Sequence, residues 1–249
     1  MKQQVTLDDV SAGYAGRAVL SGFSARIPAS AVTAVVGPNG SGKSTLLGVL
    51  AGVVPVMAGT VAHRTSVRPA LVAQRSTVSD GLPVTVRDTV AMGRWGRLGL
   101  FGRMSPCDRS VVETCMERLG IGALVERRLG ELSGGQRQRA LVAQGLAQEA
   151  DLLLLDEPTA GLDLEAQRRI TEVLREVAAE GTTVVHVTHD PAAARRADHC
   201  LLLHAGRPAG EGPPHEVLTG EARGSVRGLP RPARPSAAEE RGVARRGRG

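Results

Sequence analysis

The order of apolar and polar positions along the chain predicts alternating strands and helices. Residues 5–14 and 18–27 carry the apolar positions of two strands near the start of the chain. Short apolar runs typical of buried strands lie at 31–36, 152–155 and 182–188. Shorter strands are expected around Thr60 and Leu71. This alternation predicts an α/β fold built on a parallel sheet.

Helical spacing appears in three segments. One helix is expected over residues 44–50. A second follows Ser105, a good N-cap, and Gly120 is expected to end it. A third carries an apolar stripe over 170–177 and stops at Gly181.

Two changes of pattern divide the chain. Residues from about 80 to 150 are predicted to be more helical than the rest. After about Leu218 the chain becomes rich in Arg, Gly, Pro and Ala and loses its apolar periodicity. The expected organisation is one folded domain over 1–219, followed by a disordered tail over 220–249.

Composition and charge exclude several classes of protein. Of the 249 residues 42% are hydrophobic, so the chain can bury a substantial core and global disorder is excluded. The formal net charge is +6, but residues 220–249 hold eight arginines and three glutamates, so the rest of the chain carries only +1. The charge therefore gives little support to a nucleic-acid function.

The cysteines and the apolar runs bear on the compartment. Cys107, Cys115 and Cys200 are widely spaced without a CxxC pair, which argues against a disulfide framework and a zinc ribbon. No apolar run approaches the roughly 18 residues of a transmembrane helix. Asp8 and Asp9 interrupt the stretch where a signal peptide needs apolar residues. The chain is expected to be soluble and cytoplasmic, so that action at a membrane requires docking on a partner.

A glycine-rich stretch, the phosphate loop, follows the apolar run at 31–36 and opens a helix. Its sequence, Gly37-Pro38-Asn39-Gly40-Ser41-Gly42-Lys43-Ser44, matches G-x-x-x-x-G-K-[ST]. The glycines let backbone N–H groups turn towards phosphate oxygens, and the helix N-terminus adds a positive dipole end. Lys43, one of only two lysines, is predicted to reach the β- and γ-phosphates, and Ser44 to bind Mg²⁺.

Two acidic residues follow the apolar run Leu152 to Leu155. If the run is a central strand, Asp156 and Glu157 emerge at its carboxyl end, where ligands bind in α/β sheets. Asp156 is predicted to hold Mg²⁺ through its water shell, and Glu157 to orient and deprotonate the attacking water.

A second candidate phosphate-binding element is the signature segment, Leu132-Ser133-Gly134-Gly135-Gln136. Ser133 can cap the helix that follows, and the two glycines leave its first amide groups open to an anion. One nucleotide rarely needs two such elements from one protomer, so this segment says more about the function than the other motifs do. An ordinary capped helix is the alternative interpretation.

Together these motifs resemble the nucleotide-binding subunit of an ATP-binding cassette (ABC) transporter over residues from about 3 to 218. The resemblance implies a P-loop NTPase of ABC type, with a mixed sheet core, an N-terminal antiparallel β subdomain and an inserted α-helical subdomain over about 80–150. It implies an ATP hydrolase that uses ATP and Mg²⁺ and acts as a homodimer. In that family the signature segment of one protomer completes the nucleotide site of the other.

The resemblance also assigns roles to single residues. Tyr14 is implied to stack on adenine, which its ring face suits. Gln74 matches the Q-loop glutamine that senses Mg²⁺ and the γ-phosphate, Asp163 matches the D-loop at the dimer interface, and His189 matches the switch histidine. Implied catalytic residues are Glu157, His189, Gln74 and Lys43, and implied Mg²⁺ ligands are Ser44, Gln74 and Asp156. Implied nucleotide-binding positions are Tyr14, Gly37, Pro38, Asn39, Gly40, Ser41, Gly42, Lys43, Ser44, Thr45, Ser133, Gly134, Gly135, Gln136 and Asp163.

The segment from Met92 to Met104 mixes apolar, aromatic and arginine side chains, among them Trp95 and Phe101. From the residues alone it fits a nucleic-acid face, a membrane-surface segment, a docking site, or subdomain core with solvated arginines. In the ABC family this region receives the membrane subunit. The segment and its flanks, 90–94 and 105–109, resemble the ATPases of zinc and manganese uptake systems, and share part of the pattern of iron-chelate and cobalamin importers.

The resemblance therefore predicts an ATPase subunit that drives import of a metal ion, zinc or manganese, through a separate membrane permease. An extracytoplasmic solute-binding protein is an indirect partner, no specific nucleic acid is expected, and the location is the cytoplasmic face of the membrane. Alternatives are an iron-chelate or cobalamin importer, an exporter, or a non-transport ABC ATPase that acts on nucleic acid.

Overall fold

The computed structural model describes residues 2–64, 69–72, 83–99 and 102–218. These residues contain two β-sheets and eight α-helices. The strands are β1 (Gln3–Tyr14), β2 (Arg17–Pro28), β3 (Val32–Val36), β4 (Val56–His63), β5 (Ala70–Val72), β6 (Leu152–Asp156), β7 (Thr183–Val187), β8 (His199–His204) and β9 (Arg207–Gly212). The helices are α1 (Lys43–Leu50), α2 (Val86–Ala91), α3 (Trp95–Leu98), α4 (Pro106–Arg118), α5 (Gly134–Leu146), α6 (Leu164–Ala179), α7 (Pro191–Arg195) and α8 (Pro214–Val217).

The first sheet is antiparallel and has the strand order β2-β1-β4. A two-residue turn joins β1 to β2, and both of its residues have positive φ, 48° at Ala15 and 76° at Gly16. Such a turn matches the natural twist of a hairpin. It places Tyr14 at the exposed end of the sheet.

The second sheet has the order β5-β6-β7-β3-β8-β9, and its strands are parallel except for β9 at one edge. Because β3, β6 and β7 are parallel neighbours, their carboxyl ends meet at the same edge. The phosphate loop, the acidic pair and His189 each follow one of these strands. The topology therefore brings three sequence-predicted groups to one edge of the sheet.

Both faces of the second sheet are covered. Leu152 and Leu154 of β6 pack with α1 and the antiparallel sheet, whereas Leu153 and Leu155 pack with the helices on the other face. The same alternation occurs in β3 and β7. Continuous apolar runs are expected for parallel strands buried on both faces.

Helices α2 to α5 lie between β5 and β6 along the chain, and we call residues 86–146 the helical segment. Ser105 caps α4, as the sequence predicts, and forms a capping box with Asp108. Thr85 and Ser133 cap α2 and α5 in the same way. The division into a domain over 1–219 and a tail over 220–249 stays a prediction, because residues 219–249 lie outside the described part of the chain.

The sequence left Arg94 among possible solvated arginines, but the structure buries it. Its guanidinium donates two hydrogen bonds to Asp108 Oδ1, at 3.0 and 2.9 Å. It also donates to Glu149 Oε2 at 2.7 Å and to the Ala147 carbonyl at 2.8 Å. These bonds join the start of the Met92 to Met104 segment to α4 and to the end of α5. Trp95, by contrast, is 59% exposed.

All three cysteines are free thiols. Cys115 and Cys200 are buried, and burial raises the pKa of Cys115 to about 11 and that of Cys200 to about 12. Cys107 is exposed near the start of α4. Among the described residues, none of the helices has both the length and the apolar character that crossing a bilayer requires.

Candidate active site

The phosphate loop turns tightly between β3 and α1. A side chain at Gly37 would overlap the carbonyl oxygen of Leu203 and crowd the Ser41 hydroxyl, so only glycine fits there. Gly42, at the N-cap of α1, has a φ of 103°, which is in the left-handed region that favours glycine. The loop conformation thus depends on the glycines that the sequence pattern specifies.

The start of α1 differs from that of the other helices. Among the described helices of five or more residues, α1 is the one without a side-chain cap. Helix starts normally need a partner for their first amide groups. The uncapped first turn, with its positive dipole end, suits a phosphate.

Lys43 is a buried cation whose hydrogen bonds go to backbone oxygens. Its Nζ donates to the carbonyls of Gly37, at 3.0 Å, and Pro38, at 2.9 Å. Burial lowers the pKa of Lys43, and the nearby carboxylates of Glu157 and Asp156 oppose that shift. A buried ammonium with a lowered pKa gains from an additional anionic partner.

Asp156 and Glu157 lie at the carboxyl end of β6, as the sequence predicts. Burial raises the pKa of Asp156, while a hydrogen bond from the Ser44 hydroxyl and the Lys43 charge lower it. Ser44 and Asp156, the two predicted Mg²⁺ ligands in the described part of the chain, are therefore adjacent.

Glu157 adopts an unusual backbone conformation. Its φ is 49°, a left-handed value that is uncommon for residues other than glycine. The backbone is held by hydrogen bonds from its N–H to the Val187 carbonyl and from the Ala160 N–H to its own carbonyl, both at 3.2 Å. Backbone strain of this kind clusters at functional sites.

His189 lies beside Glu157, with its Nδ1 3.3 Å from Glu157 Oε1. The turn that carries it is fixed on both sides. The Asp190 N–H donates to the Thr188 hydroxyl, and the Asp190 carboxylate caps α7 through Ala192 and Ala193. Sequence reasoning missed Asp190, although Asp followed by Pro191 is a helix-start pattern that could have identified it.

The signature segment is placed at the start of α5. The Ser133 hydroxyl accepts a hydrogen bond from the Gln136 N–H at 3.3 Å, and Gln136 Oε1 accepts one from the Ser133 N–H at 3.0 Å. Ser133 is exposed, whereas Gly135 is buried against the start of α6, near the carboxylate of Asp163. Asp163 itself caps α6. The signature segment and the D-loop residue are thus neighbours.

Two further predicted site residues remain, Tyr14 and Gln74. Tyr14 lies apart from the edge of the sheet where the phosphate loop and the acidic pair meet. Tyr14 is 56% exposed at the end of β1 and is free to stack on a planar group. Gln74 lies outside the described residues, as do Leu100 and Phe101 of the Met92 to Met104 segment.

The residues present fit a nucleoside triphosphate and Mg²⁺. The buried Ser41 hydroxyl has no hydrogen-bond partner among the described residues, and Lys43 and the uncapped α1 add positive charge beside it. A hydroxyl and a carboxylate, from Ser44 and Asp156, are the oxygen ligands that Mg²⁺ prefers.

Comparison with known proteins identifies the family. The family described as ABC transporter matches residues 20–160, more than half of the chain. The chain belongs to the ABC transporter family. The predicted family, the fold class and the assignment as an ATP-binding ABC ATPase are therefore confirmed.

Three relatives of this ABC ATPase have informative names. The zinc transport system ATP-binding protein TroB of Treponema pallidum is 38% identical and covers 80% of this chain and 78% of its own. The manganese transport system ATP-binding protein MntB of Bacillus subtilis is 37% identical and covers 86% and 88%. The hemin import ATP-binding protein HmuV of Streptomyces coelicolor is 43% identical and covers 82% and 75%.

Solved structures agree with the fold. A metal-chelate type ABC transporter in an inward-facing conformation has a TM-score of 0.82 and 30% identity, and covers 92% of this chain and 90% of its own. A dimeric bacterial ABC transporter cassette has a TM-score of 0.72 and 25% identity, and covers 84% and 98%. Both likenesses extend over most of the described residues.

Proposed function

We propose that this chain is the ATP-hydrolysing subunit of an importer that carries a metal ion, zinc or manganese, through a separate membrane permease. The observation that carries the proposal is the likeness to zinc and manganese transport ATP-binding proteins over at least 80% of the chain. The geometry of the phosphate loop, the acidic pair and His189 supports the catalytic part of the proposal.

The phosphate loop binds the nucleotide phosphates. Its backbone amides and the first turn of α1 surround the phosphate oxygens, and Lys43 neutralises the β- and γ-phosphates. Tyr14 stacks on the adenine ring. Ser44 and Asp156, together with Gln74, would hold Mg²⁺, which would supply positive charge to the phosphate oxygens.

Glu157 acts as the general base. Its carboxylate orients the attacking water and accepts its proton as the oxygen approaches the γ-phosphorus. His189, 3.3 Å from that carboxylate, contacts the γ-phosphate and keeps the carboxylate in place. The bond between the β–γ bridging oxygen and the γ-phosphorus then breaks, which gives ADP and phosphate.

Two copies of the chain assemble so that each signature segment faces the nucleotide of the other copy. The Ser133 hydroxyl accepts a bond from its own helix, which leaves its proton available to donate to a phosphate oxygen. Gly135 lets the phosphate approach the helix start, and Asp163 lies beside it at the dimer interface. The dimeric cassette among the similar structures supports this arrangement.

The permease docks on the helical segment near Trp95. This exposed indole lies next to Arg94, which the bonds to Asp108 and Glu149 hold rigidly. A large aromatic side chain on a rigid base is typical of an interface anchor. The chain accordingly works at the cytoplasmic face of the membrane, and a solute-binding protein delivers the metal from the other side.

A hemin importer is the second candidate function. HmuV, whose name gives hemin import, has a higher identity than the zinc and manganese relatives over a similar share of the chain. Because the ATPase subunit does not contact the cargo, its site residues do not distinguish the two functions.

Uptake measurements test the proposal. A strain that lacks this chain is expected to lose accumulation of radioactive zinc or manganese while it retains growth on hemin as iron source. Reintroduction of the wild-type chain restores uptake, and the Glu157→Gln variant does not. Loss of hemin use with normal zinc and manganese uptake would favour the second candidate.

The dimer has its own test. Ser133→Arg is expected to leave ATP binding by the monomer intact but to block turnover, because the bulky cation disturbs the site of the other copy. Mixing this variant with Lys43→Ala should restore one competent site per mixed dimer. If the mixture stays inactive under conditions where mixed dimers form, the signature segment does not act across the interface.

A further inference from the structure

His186 is a buried polar residue that the proposed reaction does not use. It occupies the middle of β7, between Ala34 of β3 and Leu155 of β6. The residue is only 7% exposed. Sequence analysis did not single it out, although a histidine within the run Thr183–Val187 is the one strongly polar ring in an otherwise apolar and β-branched strand.

The imidazole needs hydrogen-bond partners that the described residues do not supply. Burial lowers the pKa of His186 to about 4, so the ring is neutral at physiological pH. A neutral imidazole carries one donor and one acceptor nitrogen. Within the described part of the chain, neither a hydrogen bond nor an ion pair to this ring is found. Buried polar groups are nearly always paired, so a partner is expected.

A small cavity next to the ring can hold that partner. The cavity has a volume of about 20 Å³, and its lining includes His186, Thr159 of the loop after Glu157, and Thr171 of α6. A cavity needs roughly 10–15 Å³ and two to four polar partners to hold one water molecule. The volume of this cavity meets the first condition, and its lining includes three residues that carry polar groups, His186, Thr159 and Thr171, which can meet the second.

The cavity adjoins the segment that follows Glu157. Pro158 and Thr159, which line it, immediately follow Glu157. The Thr159 carbonyl accepts a hydrogen bond from Gln167 Nε2 at 3.4 Å, so this loop is tied to α6. On the other side, the Glu157 N–H donates to Val187, the residue after His186. The loop and the strand therefore hold the left-handed backbone of Glu157 between them.

We propose that His186 is a positioning residue, which fixes the segment after Glu157 through one water molecule bound between the imidazole and Thr159. The water joins β7 to the loop that restrains Glu157, and so keeps the carboxylate aligned for attack on the phosphate. The inference rests on the proposed ATPase function, and it adds His186 as a residue that acts on the reaction only through Glu157.

Three variants of the full chain separate positioning from packing. His186→Phe retains a planar ring without polar atoms, and His186→Asn retains a donor and an acceptor. Thr33→Val is the matched control, because its buried hydroxyl on the adjacent strand also has no partner in the described residues but does not line the cavity. Each variant is compared with the wild type for melting temperature and for kcat and KM of ATP hydrolysis.

His186→Phe is expected to lower kcat by about fivefold or more while KM changes by less than about twofold, since the ground-state contacts to ATP are unaffected. His186→Asn should restore kcat to within about twofold of the wild type, and Thr33→Val should leave it unchanged. A kcat of His186→Phe equal to that of the wild type overturns the proposal, as does a failure of His186→Asn to exceed a folded His186→Phe.

A crystal structure of the wild-type chain gives a readout that does not depend on hydrolysis or on the folding of a variant. It should show a water within about 3 Å of an imidazole nitrogen and of Thr159. A dry cavity, or a water that contacts only His186, overturns the proposal. If the wild-type chain does not hydrolyse ATP, the proposed function fails, whereas the bound water can still be seen or refuted.

Discussion

Two buried cations, Lys43 and Arg94, have opposite surroundings. The Lys43 ammonium donates to two backbone carbonyls in the phosphate loop, with carboxylates nearby but outside its hydrogen-bond set. The Arg94 guanidinium in the helical segment is bonded to two carboxylates and one carbonyl. Both side chains are almost fully buried.

The difference distinguishes a ligand site from a structural site. Arg94 has its charge compensated within the protein, so the helical segment needs no added group. Lys43 has a pKa lowered by burial, and an anion that restores its charge balance binds favourably. A buried cation without a bonded carboxylate is thus a better indicator of an anionic ligand than the net charge of the chain.

The largest expected effect is on hydrolysis at the phosphate end. Glu157→Gln removes the general base, so kcat should fall by about 10²–10⁴-fold. ATP binding should persist, because Lys43 and the phosphate loop are unchanged. Single-turnover hydrolysis and nucleotide binding, measured on the same sample, check this. Normal turnover would refute the assignment of Glu157 as the base.

The next largest effect is on the stability of the helical segment. Arg94→Met leaves Asp108 without its main cationic partner and should lower the free energy of unfolding by about 3 kcal/mol. Arg97→Ala is the control, because Arg97 forms an exposed ion pair with Glu149, at 3.1 Å, and its loss should cost about 1 kcal/mol or less. Urea unfolding measures both. Equal losses would contradict the idea that Arg94 has a structural role.

Lys43→Ala should weaken ATP binding without lowering stability, which is the reverse of the effect expected for Arg94→Met. ATP affinity is expected to fall by about 10–100-fold, because a charge-assisted contact to phosphate is lost. Stability without nucleotide should not fall, since the variant removes a desolvated charge that lacks a bonded carboxylate. Titration with ATP and thermal unfolding in the absence of nucleotide separate the two effects. A large loss of stability would show that Lys43 has a structural role, as Arg94 does.

The smallest expected effect is on the stability of the protein at low pH. Ser105 and Arg94 lower the pKa of Asp108 to about 2 from its ordinary value of 3.8. A lowered pKa in the folded state stabilises the protein above about pH 4, and this contribution is lost as the pH falls towards 2. Asp108→Asn should therefore lose less stability between pH 4 and pH 2 than the wild type. An identical pH dependence would show that Asp108 does not contribute to acid sensitivity.

Local signals in the sequence were sufficient for much of the fold and for the phosphate end. The runs that became β3, β6 and β7 consist mostly of apolar and β-branched residues. The Ser105 cap is readable from four adjacent residues. The acidic pair lies next to its strand in the chain. Where a feature depends on neighbours in sequence, pattern and propensity determine it. The roles of the site residues stay predictions.

Features that depend on distant contacts were not predictable in this way. Arg94 and Glu149 are 55 positions apart, and their pairing follows from how α5 ends. Strand β9 has the sequence Arg-Pro-Ala-Gly-Glu-Gly, which is poor in strand-forming residues, and it forms because it pairs with β8 at the sheet edge. The left-handed φ of Glu157 likewise arises from bonds to Val187 and Ala160.

The arrangement of the three thiols has a practical consequence for spectroscopy. Because burial keeps Cys115 and Cys200 protonated at neutral pH, a maleimide probe should attach selectively at Cys107. The wild-type chain thus carries a single labelling position at the start of α4. Two labelled copies would report their separation by electron spin or fluorescence measurements, without a cysteine-free background and through each stage of a nucleotide cycle.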